Sequence, residues 1–488
     1  MTGPWAPGLV LAPALLLVAS AAVLLRPGSA RRAGALSLLA VLLSALPLTA
    51  AWVGRRCDVI LWAPGTAEPG GTALALRLDG LSIPFVANLF AVSLLAFWYA
   101  LGYLERVRRP EWCYSLLLVF VASMLGGLLA DDLLLFLVSW EAMLLASALL
   151  LVGWGEGPRA SAVTLRYFIY SQGGSLLLIA AMAWLAHTSG STQPEAAFRA
   201  IRHQPLPVLQ SLGAMLFVGF AVKMAIVPVH GWLPDAHAIA PMPVTILLAG
   251  AMLAMGAYGM LRFALLGLGP AALMPLQAPL MALGLVSQVY GAWQSLGQRD
   301  LKRFIAYSSV SQMGYVLFGI AALSSAGASA SVHHILGHGL VKSLLFMAAG
   351  VVIASTSRLR MSGMAAIGRL LPVPALSLSI GLAATAGFPP LLGFHTEWRL
   401  LLAGLEAGHP LLAAGAFAAP VATLAYALVL VARMMECPAH EPPAPVAAPR
   451  PMRVSTGLAL ALVLLAGFLG GPLGRWIADL LPEMEAVL

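Results

Sequence analysis

Residues 217–241 read FVGFAVKMAIVPVHGWLPDAHAIAP, and this stretch decides how the chain folds. One charge, Lys223, sits inside an apolar run, and Pro228 follows five residues later. Pro228 has no N–H, so the carbonyl of Met224 is expected to lose its helical partner, and Pro234, Pro241 and Pro243 prevent a quick recovery. An isolated lysine in hydrocarbon needs a partner or water. Irregular backbone at membrane depth survives only where it is buried in protein or lines a watery cavity. The stretch therefore reads as a broken membrane helix beside a charge.

The rest of the chain supports a membrane setting. Of 488 residues, 60% are hydrophobic and only 9% charged, with a mean hydropathy of +0.91. Soluble domains carry about 25% charged residues. Too few charges remain to cover a soluble surface, so the chain reads as an all-α polytopic membrane protein forming a single domain over 1–488. The net charge of +8 does not imply nucleic acid, because excess Lys/Arg in such a chain collects in cytoplasmic loops. Cys57, Cys113 and Cys437 are far apart and form no CxxC pair, which argues against zinc and iron–sulfur sites and leaves no metal ligands to propose. The first apolar run, 8–25, lacks a basic leader and reads as a first span, not a removed signal.

A span needs about 20 apolar residues. Fourteen stretches qualify: 8–25, 33–53, 81–104, 112–129, 133–154, 161–186, 209–228, 244–266, 275–296, 303–324, 330–355, 370–402, 410–434 and 454–472. Polar or Gly/Pro-containing breaks fall at 54–80, 187–208 and 435–453, the last read as a flexible loop. Two of the 27 Lys/Arg residues lie inside spans. Of the other 25, the loops after odd-numbered spans hold 17 and the opposite side 8. That bias places both termini on the non-cytoplasmic side of a cell inner (plasma) membrane.

The charges inside the spans carry the functional signal. Two of only three lysines, Lys223 and Lys342, are mid-span, and Lys302 is the third. Arginine holds its proton at any usable pH, whereas lysine can release it. Glu141 in LLLFLVSWEAMLLASALLL and Glu397 in GFPPLLGFHTEWRLLLAG share this placement. Each ionisable group at the bilayer centre costs roughly 2.5–3.5 kcal/mol. Ion pairs that only pin helices are the alternative, but a fixed pair suits arginine's bidentate fork better than lysine. SVHHILGHGLVKSLLF puts His334, His338 and Lys342 at steps of four, on one helix face. His230, His395 and Lys302 are further relay candidates. Pro389 and Pro390 interrupt the twelfth span as Pro228 and Pro234 interrupt the seventh. Paired broken helices beside buried charges point to an ion pathway.

SWEAMLLASALLLVG, RYFIYSQGGSLLLIAA, VKMAIVPVHGWLPDAHAIAP, RDLKRFIAYSSVSQMGY and HHILGHGLVKSLLF together resemble the antiporter-like membrane subunits of the complex I superfamily, and within it chain M of proton-translocating NADH-quinone oxidoreductase. The resemblance implies about fourteen helices with two inverted five-helix repeats and broken helices 7 and 12. Helices 1–3 would occupy 1–111, the first repeat (helices 4–8) 112–266, the second (helices 9–13) 275–434, and helix 14 with a tail 454–488. It implies that Glu141 and Lys223 form the pair whose coupling drives proton movement, and that Glu397 is the acid near the exit. Two departures stand out. Ala254, in AGAMLAMGAYGMLRF, occupies a position where chain M proteins usually carry lysine, and Lys342 matches a pattern that chain M usually lacks but chain L, Mrp-type antiporters and hydrogenase relatives share. The implied function is non-redox proton translocation in an NADH-quinone oxidoreductase-type complex, not catalytic alone, with redox cofactors only in partner subunits. Expected partners are other membrane subunits, related antiporter-like ones among them, the lipid bilayer and H⁺ or Na⁺. The rivals are an Mrp-type Na⁺/H⁺ antiporter subunit, an ion-pumping subunit of a membrane-bound hydrogenase and a membrane component of an inorganic-carbon uptake pair.

Overall fold

The computed structural model describes residues 6–25, 29–52, 57–62, 74–436 and 444–482. Twelve helices among them are long and apolar enough to cross a membrane, and Leu9–Leu25 and Pro372–Thr385 are shorter apolar helices at the positions of the expected first and twelfth spans. The chain is a multi-pass membrane protein. Side-chain caps fix several starts: Asp132 accepts from the Leu135 N–H (2.9 Å), Asp300 from Arg303 N–H (2.9 Å) and Ser324 from Gly327 N–H (3.1 Å). Each cap satisfies a donor that a helix start leaves without an intrahelical partner.

The loops after spans 3, 5, 7, 9, 11 and 13 gather at one end of the bundle. Trp154 Nε1 donates to Arg108 O (2.8 Å), Glu156 N to Ile239 O (2.7 Å), Leu301 N to Leu359 O (3.0 Å) and Ala366 N to Glu436 O (3.0 Å). The other end carries the first two polar, Gly/Pro-containing breaks. Residues 54–80 contain two antiparallel strands, Cys57–Trp62 and Leu74–Leu78, and residues 187–208 contain the short helix Pro194–Ile201. Arg77 of the second strand pairs with Asp131 (2.9 Å) and Glu195 (3.6 Å). The helix Arg450–Phe468 starts four residues before the expected span, and residues 437–443 of the expected flexible loop, Cys437 among them, lie outside the described residues. Cys113 is buried.

The eighth span, Met242–Leu268, runs through the centre, buried along most of its length, and two π-helical stretches, Leu248–Met252 and Met260–Leu268, interrupt its α-helix. Small residues bring it against its neighbours. Asn88 Nδ2 donates to Gly250 O (2.8 Å), and a Cβ on Gly250 would meet Gly339 O at 3.1 Å. Such close backbone approach substitutes for the hydrophobic drive that lipid cannot supply. Near its far end Arg262 grips Asp79 with both arms of its fork, at 2.6 and 2.7 Å. Burial works against the charge on Asp79, but the Arg262 guanidinium overrides it and holds the carboxyl well below the usual carboxylate range.

Candidate functional site: two broken helices and a buried charge row

The two breaks share one backbone device. The helix Leu206–Met224 ends with Ala225 in the left-handed region (φ 57°); Ala225 N donates to Val222 O and Ile226 N to Ala221 O, both at 3.1 Å. The helix Pro372–Thr385 ends the same way: Gly387 has φ 67°, Gly387 N donates to Ala384 O (3.4 Å) and Phe388 N to Ala383 O (3.0 Å). Each is a Schellman closure that satisfies the last carbonyls. Each is followed by a cis proline, Pro228 and Pro390, three residues after the left-handed position. The first break thus begins three residues ahead of Pro228, not at it, because the left-handed cap has already turned the chain. The helices resume at Trp232–Ile239 and Leu392–Glu406.

Lys223 lies one turn-end before the first closure and is buried, 2% exposed. Its Nζ has no hydrogen-bond partner among the described residues and sits over the rings of Trp140 (5.5 Å) and Tyr167 (5.9 Å). Ring faces of this kind attract a cation. Glu141 is close enough to act on Lys223 electrostatically, but no ion pair within 4.0 Å joins them, and Glu141 Oε1 is also buried without a partner. The expected pair is therefore a facing pair held apart. Tyr167 is tied to Ser147 by a hydrogen bond (2.6 Å), and Trp140 Nε1 donates to Ser175 Oγ (3.1 Å), so the ring walls are fixed.

The second half is different in kind. Lys342 is fully buried and donates to Ser308 Oγ (2.5 Å) and, weakly, to Ile305 O (3.5 Å). His334, His338 and Lys342 do share one face of the helix Ser325–Thr356, and all three line one small cavity with Gln312, Thr385 and Thr396. Its volume, about 10 Å³, is the space that one water needs. His334 Nδ1 is hydrogen-bonded to Thr396 Oγ1 (2.8 Å), its ring stacks on Tyr315 (5.7 Å), and Tyr315 lies within electrostatic reach of Glu397. Glu397 is 9% exposed, and its carboxylate packs against Gly387 of the break. A side chain at 387 would occupy the carboxylate's place.

At the opposite end of this row, Lys302 is 2% exposed and donates to Ala240 O (3.0 Å) and to Glu156 Oε2 (3.3 Å). Glu156 is half-exposed and also accepts from Tyr103 (2.8 Å). Between Lys302 and Lys342 lies His237, fully buried on the short helix Trp232–Ile239, stacked on Phe346 (4.9 Å) and within electrostatic reach of both lysines. Sequence reading passed over His237, Glu156, Gln312, Thr396 and Ser308. His237 stands in the opening stretch itself, and a histidine in an apolar segment was the available signal; the others belong to the site only through contacts between distant segments.

Two candidates fall off the row. His230 turns its ring to Tyr290 (4.9 Å) and Tyr307 (6.4 Å). His395 packs on Gly470 beside His333, away from the cavity. Pro234 lies within the short helix after the first break and Pro389 immediately precedes Pro390. Ala254 is buried in the central helix and does not line the cavity.

Two helices broken by one device, with titratable groups buried beside them, define an antiporter-like membrane protein. A profile described as NADH:quinone oxidoreductase/Mrp antiporter, TM, matches residues 130–422, and the chain belongs to that family. It is 37% identical over 344 residues to NAD(P)H-quinone oxidoreductase chain 4 of Microcystis aeruginosa, covering 70% of this chain and 60% of the relative. The chain spans about three fifths of the length of the curated relatives it matches. A chain of respiratory complex I from Thermus thermophilus superposes with a TM-score of 0.86 at 26% identity, covering 98% of both chains. A chain of the Mrp complex from a Dietzia species superposes with 0.82 at 27% identity, covering 96% of this chain and 52% of that one.

Proposed function

We propose that the chain is the proton-translocating, non-redox subunit of a complex I-type NADH-quinone oxidoreductase, taking protons up at the Lys302 end and releasing them past Glu397. The observation that carries the reading is the row Glu156–Lys302–His237–Lys342–His334–Thr396–Glu397, with a water-sized cavity lined by Lys342, His338, His334 and Thr396. Protons hop only over hydrogen-bond distances, so a relay needs a titratable group or water at each step. The 17-to-8 charge bias supports a cytoplasmic Lys302 end, a plasma-membrane setting and outward release.

The first half supplies the coupling. While Glu141 is ionised and near, Lys223 keeps its proton; withdrawing that charge lets it go. Energy would arrive from partner subunits as movement or neutralisation of Glu141. The electrons travel elsewhere, and this chain contributes only binding, orientation and transfer of protons. Lys342 takes the part that the absent lysine at Ala254 would play, because it lines the cavity and lies within electrostatic reach of His237 on the uptake side. Replacing Lys342 with Ala should leave the complex assembled and stop proton uptake by reconstituted vesicles. Wild-type rates would overturn the assignment.

The superposition on an Mrp chain, at nearly the same identity as that on complex I, favours a second reading as a Na⁺/H⁺ antiporter subunit. Transport that requires Na⁺ and proceeds without an electron donor would select it.

A further inference from the structure

A cavity of about 580 Å³ opens at the same end of the bundle as Lys302, lined by none of the residues of the charge row, between the end of the helix Ser325–Thr356 and the starts of Pro372–Thr385 and Arg450–Phe468. Arg450 and Arg453 line it, no acidic residue does, and neither guanidinium has an ion-pair partner among the described residues. Both helix starts bring the positive end of a helix dipole to the same place, although Pro372, Pro374 and Pro451 carry no N–H and Ala375 N and Arg453 N are already committed to Leu371 O and Pro449 O. Ser355 also lines it; the residue is 5% exposed and its hydroxyl has no hydrogen-bond partner among the described residues. A buried, unpartnered hydroxyl costs free energy unless something binds it.

We propose that this cavity binds one anionic phospholipid, with its phosphate between Arg450, Arg453 and Ser355. A free phosphate would need only the polar mouth. Here Leu371, Val373 and Val454 line the same cavity, and Val373, Leu376, Val454 and Leu458 are exposed along the two helices leading into the membrane. Those surfaces suit acyl chains running down from the headgroup. The volume lies within the range of ordinary ligand pockets, enough for a headgroup and the first acyl carbons. Basic pockets between membrane helices are a recurrent way to hold acidic lipid. The inference does not depend on the transport reading.

The test is equilibrium binding of fluorescent phosphatidylglycerol to the purified full-length protein in its complex, with phosphatidylcholine and sodium phosphate as competitors. Each arginine near an anionic lipid is worth about 1 kcal/mol, so Arg450→Gln with Arg453→Gln should weaken one class of sites about 30-fold. Arg450→Lys with Arg453→Lys should retain most of the affinity, which separates lost charge from lost fold. Val373→Trp should weaken phosphatidylglycerol by filling the acyl wall. Unchanged binding in the double Gln variant, equal binding of phosphatidylcholine, or displacement by phosphate at matching concentration would each overturn the proposal.

Discussion

The two broken helices are built alike and furnished differently. At the first, Lys223 faces two aromatic rings and an acid that does not touch it. At the second, the position two residues before the left-handed turn is Thr385, and the lysine, Lys342, comes from a neighbouring helix with a hydroxyl partner, histidines and a cavity beside it. The backbone device therefore only opens space; the side chains decide what fills it. On the proposed reading, the charge held among rings responds to its neighbour, whereas the row of titratable groups with room for a water passes a proton along. A third arrangement, Arg262 on Asp79, shows what a charge pair looks like when it has only to stay in place: a bidentate fork on an arginine that does not titrate.

The comparison can be broken at the fixed pair first. Asp79→Asn leaves Arg262 buried without its countercharge, and removing one partner of a buried pair costs about 3–5 kcal/mol. The thermal stability of the complex should fall accordingly. Asp79 is held ionised by the fold, so its contribution is fully present above the unfolded carboxylate value of about 4 and is lost only as pH falls below it. The cost of Asp79→Asn should be the same at pH 8 and pH 5 and shrink in stronger acid. A cost that grows between pH 8 and pH 5 would contradict the assignment.

Glu397→Gln should spare assembly and cut proton release more than tenfold, because glutamine keeps the shape beside Gly387 but carries no proton. Glu141→Gln should abolish most redox-driven proton movement while leaving the row intact, and Lys223→Arg should do the same despite keeping the charge. Normal pumping by either of the last two, measured in reconstituted vesicles, would reduce the first half to a scaffold. The smallest effect belongs to the cavity wall. Thr385→Val removes one hydroxyl that a bridging water could use and should slow transport a few-fold, with no change in the amount of complex.

Much of this was legible because it is local. The stripe His334–His338–Lys342 follows from a spacing of four, the breaks from prolines in apolar runs, and the spans from length and hydropathy. The alternating charge bias matches the gathering of odd-numbered loops at one end. What was hidden depends on distance in the chain. Glu156, Lys302 and Ala240 meet across three segments, and no short motif announces that meeting. The left-handed closure that the two breaks share was also invisible, since Ala225–Ile226 and Gly387–Phe388 share backbone geometry and no residues. The strand pair in 54–80 was masked by its Gly/Pro surroundings, and the two π-helical stretches leave no mark in the sequence of a largely apolar helix.

The central claim is that Lys342 gives up its proton and is not merely a buried cation. Lys342→Arg tests it most directly, alongside Lys342→Ala. Arginine keeps the positive charge and its hydrogen bonding toward Ser308 but retains its proton at any pH the cell meets. The measurement is NADH-driven proton uptake by vesicles containing the assembled complex. The account predicts that the Arg variant fails as completely as the Ala variant. Wild-type uptake by Lys342→Arg would show a scaffold in place of a relay.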